Sequence, residues 1–149
     1  MIYLDSAATT FQKPLSVSYA MQRAMRTMSS PGRGGYAAAR AAEETAFRCR
    51  SLAAELFGVP SPEQVVFTSN ATHALNIAIL SLVPEGGRVA VSGYEHNAVT
   101  RPLHALSARI KVAASPLFDR AALLRAFENS ISPELDAVVC THVSNAVSY

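Results

Sequence analysis

The sequence has few of the residues that mark specialised protein classes. Its 149 residues include no tryptophan and two cysteines, Cys49 and Cys140. These cysteines and the four histidines lack the spacing of a zinc or redox site, so we expect no metal. Two thiols and an N-terminus without the pattern of an export signal favour a reducing compartment, and we expect a cytoplasmic protein. We interpret Cys49 as a small core residue of a helix.

Charge and long apolar runs are also scarce. Charged residues make up 16% of the chain, and its net charge is +2. The eleven arginines and two lysines are scattered, so we expect neither a nucleic-acid nor an anionic-membrane partner. No apolar run reaches the roughly 18 residues that a membrane-spanning helix needs. Half of the residues are hydrophobic, which is typical of a globular domain with a substantial core.

Strand-like and helix-like segments alternate through most of the chain. The predicted strands are 65–68, 88–92, 110–114 and 136–141, and the helices between them are 72–82, 97–107 and 119–129. Two further helices, near 14–28 and 37–57, and a short strand at 2–4 precede them. This order predicts an α/β fold with three layers, in which helices flank a mostly parallel sheet and an N-terminal helical arm comes first.

The turn between the first strand of that series and its helix has the features of a phosphate-binding site. Thr68, Ser69 and Asn70 are turn and cap residues, and the apolar helical face begins just after them. A strand that leads into a helix in this way directs free backbone N–H groups and the positive end of the helix dipole at one spot. An ordinary, well-capped turn would have the same sequence features, so both interpretations remain open.

Polar loops follow two other predicted strands, at 93–97 and 141–145. Ligands bind beyond the carboxyl ends of parallel strands, so we expect these loops and the 68–72 turn to share one edge of the sheet. His96 has the chemistry of a general base, a metal ligand or a stacking ring, but a helix-capping surface histidine fits equally well. Glu95 either orients His96 or is simply a solvated charge.

Five segments together resemble the class V aminotransferase family of pyridoxal-phosphate enzymes, and the cysteine desulfurases in particular. Residues 3–10 resemble the family's opening Tyr-Leu-Asp-Asn-Ala-Ala-Thr-Thr, and residues 31–35 resemble its Arg-Gly loop. Residues 67–72 resemble its Phe-Thr-Ser-Gly-Ala-Thr turn. Residues 95–99 match its Glu-His segment, and residues 142–145 match its His-Val-Ser/Asn-Asn segment. Ser6 replaces the asparagine of the first segment. The order and spacing of all five segments fit the family.

The resemblance implies a role for four residues. Ala71 and Thr72 would hold the phosphate of the cofactor, pyridoxal 5'-phosphate. His96 would stack on the pyridine ring and assist proton transfers, which makes it the candidate catalytic residue. Asn145 would form a hydrogen bond with the phenolic oxygen of the ring.

The resemblance also indicates what the chain lacks. The family's aspartate, its glutamine and its Schiff-base lysine come later than residue 149, and neither Lys13 nor Lys111 has the context of that lysine. We therefore divide the chain into an N-terminal arm and helix, 1–35, and the first part of the pyridoxal-phosphate-binding large domain, 36–149, interrupted before the Schiff-base lysine. On this basis the chain alone is not expected to be active.

The complete enzyme would most simply be a cysteine desulfurase, which converts L-cysteine to L-alanine and leaves the sulfur as an enzyme persulfide. Its implied partners are a cysteine-like amino-acid substrate, a second copy in a homodimer and a protein that accepts sulfur. Another class V enzyme, such as an aminotransferase or a selenocysteine lyase, is an alternative. A further alternative is an inactive truncated fragment or a phosphate-binding α/β module.

Overall fold

The computed structural model describes residues 2–6 and 9–146, in which five α-helices and three β-strands form. The helices are α1 Leu15–Thr27, α2 Ala37–Phe57, α3 Ala71–Leu82, α4 Asn97–Ala105 and α5 Arg120–Glu128; the strands are β1 Arg88–Ser92, β2 Arg109–Ala113 and β3 Ala137–Val139. Residues 7 and 8 of the opening segment, and residues 1 and 147–149 at the ends of the two predicted domains, lie outside the described residues.

Two compact units divide the chain, residues 1–67 and residues 68–149. The first contains α1 and α2, and the second contains the other three helices and the sheet. The division between 1–35 and 36–149 concerns the domains of a complete family member, and it stays a prediction.

Local sequence signals account for the ends of the helices in the first unit. Pro14 directly precedes α1, where its fixed φ favours helix entry. Gly58 ends α2 with a φ of 65°, and its N–H donates to the carbonyls of Ala54 and Glu55. Only glycine adopts this left-handed conformation without a steric penalty, so the helix ends where the sequence predicts.

Three predictions for this part of the chain are wrong. Residues 2–4 and 65–68 are not strands. Among the described residues, no strand pairs with either segment through backbone hydrogen bonds. Val66 and Phe67 are 74% and 59% exposed, so their β propensity has no sheet to pack into. Cys49 is also exposed and is therefore not a core residue.

The sheet confirms the predicted parallel α/β architecture. Its order is β2-β1-β3, with β1 in the centre and parallel to both neighbours. Val89 of β1 lies opposite Ile110 on one side and Ala137 on the other. All three strands consequently have their carboxyl ends at the same edge, and the loop that follows β1 has a neighbouring loop on each side.

The core of the second unit lies where α3 and α4 pack beside β1. Its buried side chains are Ile79, Val83, Val89, Val91, Val99 and Leu103. Leu103 and Val89 are completely inaccessible to solvent. Full burial of one such side chain contributes about 1.5–3 kcal/mol, so this cluster fixes the central strand and the two helices relative to one another.

Candidate functional site

The N-terminus of α3 is capped by side chains and still presents two amides. Asn70 is extended, and its Oδ1 accepts a hydrogen bond of 2.8 Å from the backbone N–H of His73. The Ser69 hydroxyl lies 3.1 Å from Nδ1 of the same histidine. Among the residues that the structure describes, none accepts a hydrogen bond from the N–H of Ala71 or Thr72, and both residues are exposed. These amides and the Thr72 hydroxyl suit an anion at the positive end of the helix dipole.

His96 caps the next helix. It is the N-cap residue of α4, and its Nδ1 accepts a hydrogen bond of 3.1 Å from the N–H of Ala98. An Nδ1 that accepts cannot carry a proton, so in this geometry the neutral ring has its proton on Nε2. The helix-capping interpretation of His96 is therefore correct, and the residue is also exposed to an incoming ligand.

Glu95 connects the loops that follow β1 and β3. Its Oε1 accepts hydrogen bonds from the Thr141 N–H, at 2.8 Å, and from the Ser92 hydroxyl. Its Oε2 accepts one from the Thr141 hydroxyl at 2.9 Å. Ser92 is only 3% exposed, and Glu95 and Thr141 are partly buried. Glu95 is therefore neither a simple solvated charge nor in direct hydrogen-bond contact with His96.

Tyr94 connects the same central loop to the loop that follows β2. Its hydroxyl donates to the Ser115 carbonyl at 2.6 Å and lies 3.4 Å from the Ser115 hydroxyl. This contact joins the loop that begins at Ser115 to the central loop. Adjacent residues thus reach in opposite directions, Tyr94 towards β2 and Glu95 towards β3.

Asn145 lies in the turn beyond β3. It is exposed, and the side chain of its neighbour Ser144 is buried and accepts a hydrogen bond of 3.3 Å from the N–H of Ala146. Because Thr141 belongs to the same loop, this loop is linked through Glu95 to the loop that carries His96. Among the described residues, neither loop provides a hydrogen-bond acceptor for the amides of Ala71 and Thr72.

The negative charge of Glu95 also affects the neighbouring thiol. The pKa of Cys140 is raised above its ordinary value, first by partial burial of the thiol and second by the nearby carboxylate. Both effects disfavour the thiolate. Cys140 is consequently less reactive as a nucleophile than an unperturbed thiol.

The residues present fit the phosphate and the polar ring edge of pyridoxal phosphate. Two exposed amides and a hydroxyl suit the phosphate, and exposed imidazole and amide side chains suit an aromatic ring with polar substituents. The two lysines have other contacts: Lys13 Nζ donates to the Thr10 carbonyl at 2.7 Å, and Lys111 Nζ to the Asn129 carbonyl at 2.8 Å.

No three His, Cys, Asp or Glu side chains among residues 2–6 and 9–146 are grouped as a metal site would require. Within the same residues, none of the helices combines the length and the apolar character needed to cross a bilayer.

Sequence reasoning missed Glu95, Thr141, Tyr94 and Ser115 as a connected set. A signal for them was present, because all four residues lie at or just beyond the carboxyl ends of predicted strands of a parallel sheet. Which of these side chains pair depends on the order of the strands, and β2-β1-β3 becomes known only from the fold.

Comparison with known proteins places the chain in a family. A model of the family "Aminotransferase class-V" matches residues 2–147. The chain is 31% identical to a "Probable cysteine desulfurase" of Mycolicibacterium paratuberculosis over 99% of its own length and 22% of the relative's. It is 30% identical to a "Probable cysteine desulfurase" of Vibrio cholerae and 30% identical to "Cysteine desulfurase IscS" of Tolumonas auensis. These two matches cover 97% and 98% of the chain, and 38% of each relative.

The chain therefore spans less than two fifths of the length of these relatives, while almost all of it is matched. The family match, the α/β fold with its parallel sheet and the loops at its carboxyl edge agree with one another. The chain belongs to the class V aminotransferase family.

Proposed function

We propose that this chain provides part of a pyridoxal phosphate site. The backbone N–H groups of Ala71 and Thr72 and the Thr72 hydroxyl hold the phosphate, His96 lies against the ring, and Asn145 donates to its phenolic oxygen. The observation that carries the proposal is the pair of α3 amides that have no acceptor among the described residues, at the start of a helix already capped by Asn70. When bound, the cofactor supplies an electron sink for reactions at the Cα of an amino acid.

His96 has a restricted proton role in this arrangement. Its Nδ1 is engaged by Ala98, so the ring presents Nε2–H as a donor. It can stabilise negative charge on a neighbouring oxygen or nitrogen as it stands. To accept a proton it must first release the Ala98 amide, which costs the capping hydrogen bond.

The complete protein of which this chain is a part is, in this proposal, a cytoplasmic, homodimeric cysteine desulfurase. It takes sulfur from L-cysteine, releases L-alanine and passes the sulfur from an enzyme cysteine to an acceptor protein. The names of the relatives and their greater length support this activity. The four proposed contacts face the cofactor, so an aminotransferase or a selenocysteine lyase of the same family is the alternative.

The reading frame beyond residue 149 tests the proposal for the complete protein. We expect it to encode an aspartate, a glutamine and a Ser-x-His-Lys segment, followed by a cysteine nucleophile. Protein expressed from the whole frame should release alanine from cysteine in equal amount to the sulfur transferred. A stop codon directly after Tyr149 would contradict the desulfurase proposal and favour an inactive fragment.

A second experiment tests the cofactor contacts in this chain itself. Isothermal titration with pyridoxal phosphate, pyridoxal and inorganic phosphate separates the ring from the phosphate. We expect pyridoxal phosphate to bind more tightly than either of the others, because it alone makes both sets of contacts. Equal affinities for pyridoxal phosphate and inorganic phosphate would instead indicate a bare anion-binding module.

A further inference from the structure

Three donors converge on the Glu95 carboxylate at the edge of the sheet. Two come from Thr141, beyond β3, and one from Ser92, the last residue of β1. The Thr141 N–H is an obligatory donor, so only an acceptor satisfies it. A carboxylate accepts all three hydrogen bonds without carrying a proton, which makes glutamate well suited to this position.

The residues on either side of this connection are those proposed to contact the cofactor. His96 is the direct neighbour of Glu95 and caps α4, while Asn145 is an exposed residue four positions beyond Thr141. The segment 141–146 contains no helix or strand. Its position relative to His96 is therefore set by the Glu95–Thr141 pair, by the end of β3 and by the burial of Ser144.

We propose that Glu95 is a positioning residue, whose carboxylate joins the loop of His96 to the loop of Asn145 so that both can contact one ring. This inference rests on the proposed cofactor site. It assigns Glu95 no contact with the cofactor and no part in proton transfer. Its effect reaches the ring through His96 and Asn145, and the phosphate contacts at α3 do not depend on it.

The substitutions Glu95→Ala and Glu95→Gln separate loss of the connection from loss of charge. Alanine removes all three acceptor contacts. Glutamine keeps a carbonyl oxygen for the Thr141 N–H, and its NH₂ group can donate to the Thr141 hydroxyl, so the connection persists in a weaker form. The matched control is Tyr94→Phe, which removes the hydrogen bond from the same loop to Ser115 on the opposite side.

Amide exchange of the ¹⁵N-labelled chain measures the connection directly. In Glu95→Ala we expect the Thr141 amide to exchange at least about tenfold faster, since a hydrogen bond to a charged group is lost. Residues 142–146 should become more mobile in the same variant. Glu95→Gln should restore most of the protection, and Tyr94→Phe should leave the Thr141 amide unchanged.

Ligand binding measures the consequence for the site. Glu95→Ala should weaken the binding of pyridoxal phosphate about tenfold, which is the loss expected for one misplaced hydrogen bond. It should change the affinity for inorganic phosphate by less than about twofold. Glu95→Gln should recover most of the pyridoxal phosphate affinity. A Glu95→Ala variant that simply unfolds would lose phosphate binding and core amide protection together. In that case Thr141→Val, which removes only the hydroxyl contact, should show a smaller loss of affinity that is selective for pyridoxal phosphate.

Three results would overturn this role of Glu95. The first is an unchanged exchange rate of the Thr141 amide in Glu95→Ala. The second is an equal loss of affinity for pyridoxal phosphate in Glu95→Ala and Tyr94→Phe. The third is a parallel loss of affinity for both ligands in Thr141→Val. Failure of the proposed function has a different signature. In that case the wild-type chain binds pyridoxal phosphate no better than phosphate, while the exchange of the Thr141 amide still decides whether Glu95 orders the loop.

Discussion

Replacing Ala71 with proline removes one proposed phosphate donor and little else. Ala71 is the first residue of α3, directly after the extended cap residue Asn70. Proline is favoured at this helix position because its φ is already helical and the N–H there has no partner within the helix. Ala71→Pro should therefore keep the helix while deleting a single N–H group.

The expected effect on ligand binding follows from the strength of that hydrogen bond. A hydrogen bond to a charged group contributes about 1.5–3 kcal/mol, which corresponds to roughly 10- to 150-fold in affinity. Titration of the variant with pyridoxal phosphate should show a loss in this range, and inorganic phosphate should lose affinity by a similar factor. The thermal unfolding midpoint should change little.

The control for this prediction is Ala37→Pro. Ala37 is likewise the first residue of a helix, α2, and follows an extended residue, Tyr36. This variant should bind pyridoxal phosphate as the wild-type chain does. If Ala71→Pro also binds like the wild type while remaining folded, the amide of Ala71 does not hold the phosphate and the proposed site is misplaced.

Four further predictions concern Cys140, Leu103 and the two lysines. Glu95→Gln should lower the pKa of Cys140 and speed its alkylation near neutral pH, because the charge that disfavours the thiolate is gone. The folded chain holds the pKa of this thiol above its unfolded value. The thiol's contribution to stability is therefore complete below the unfolded pKa and is lost as pH rises through the folded pKa. Unfolding measured as a function of pH would detect this loss. Leu103→Ala should lower the free energy of unfolding in urea by about 2–5 kcal/mol, because this side chain is fully buried. Borohydride should fix no stoichiometric adduct of pyridoxal phosphate on Lys13 or Lys111, and peptide mass spectrometry would reveal one.

Two of these predictions have a control within the chain. Glu134 pairs with Arg88 before β3, so Glu134→Gln should leave the alkylation rate of Cys140 unchanged. Leu124 of α5 is 54% exposed, and Leu124→Ala should cost much less stability than Leu103→Ala. An equal effect in either pair would contradict the contacts described above.

Local sequence signals predicted most of the helices and strands. β1 occupies the predicted residues 88–92, and α3 begins within one residue of its predicted start, because β-branched runs and capping residues act over a few positions. The segment 65–68 shows where this reasoning fails. Its residues favour extended backbone, but a strand also requires a partner, and none of the described segments pairs with it.

The side chains of the site also differ in whether their partners are local in sequence or distant. Asn70 was predictable as a cap because its acceptor lies three residues from the amide that it binds. The pairing of Glu95 with Thr141 spans 46 residues, so no local pattern contains it. Cys49 was assigned to the wrong environment because an apolar stripe on a helix does not determine which of its members are covered.

Amide chemical shifts of the ¹⁵N-labelled chain during titration with pyridoxal phosphate test the proposed site most directly. We predict that the amides of Ala71, Thr72, Ala98 and Asn145 shift together and saturate with a single affinity, since Ala98 reports on the His96 ring. Inorganic phosphate should shift the first two and leave the others unchanged. Shifts confined to Ala71 and Thr72 with both ligands, or absent from all four, would contradict a shared cofactor site.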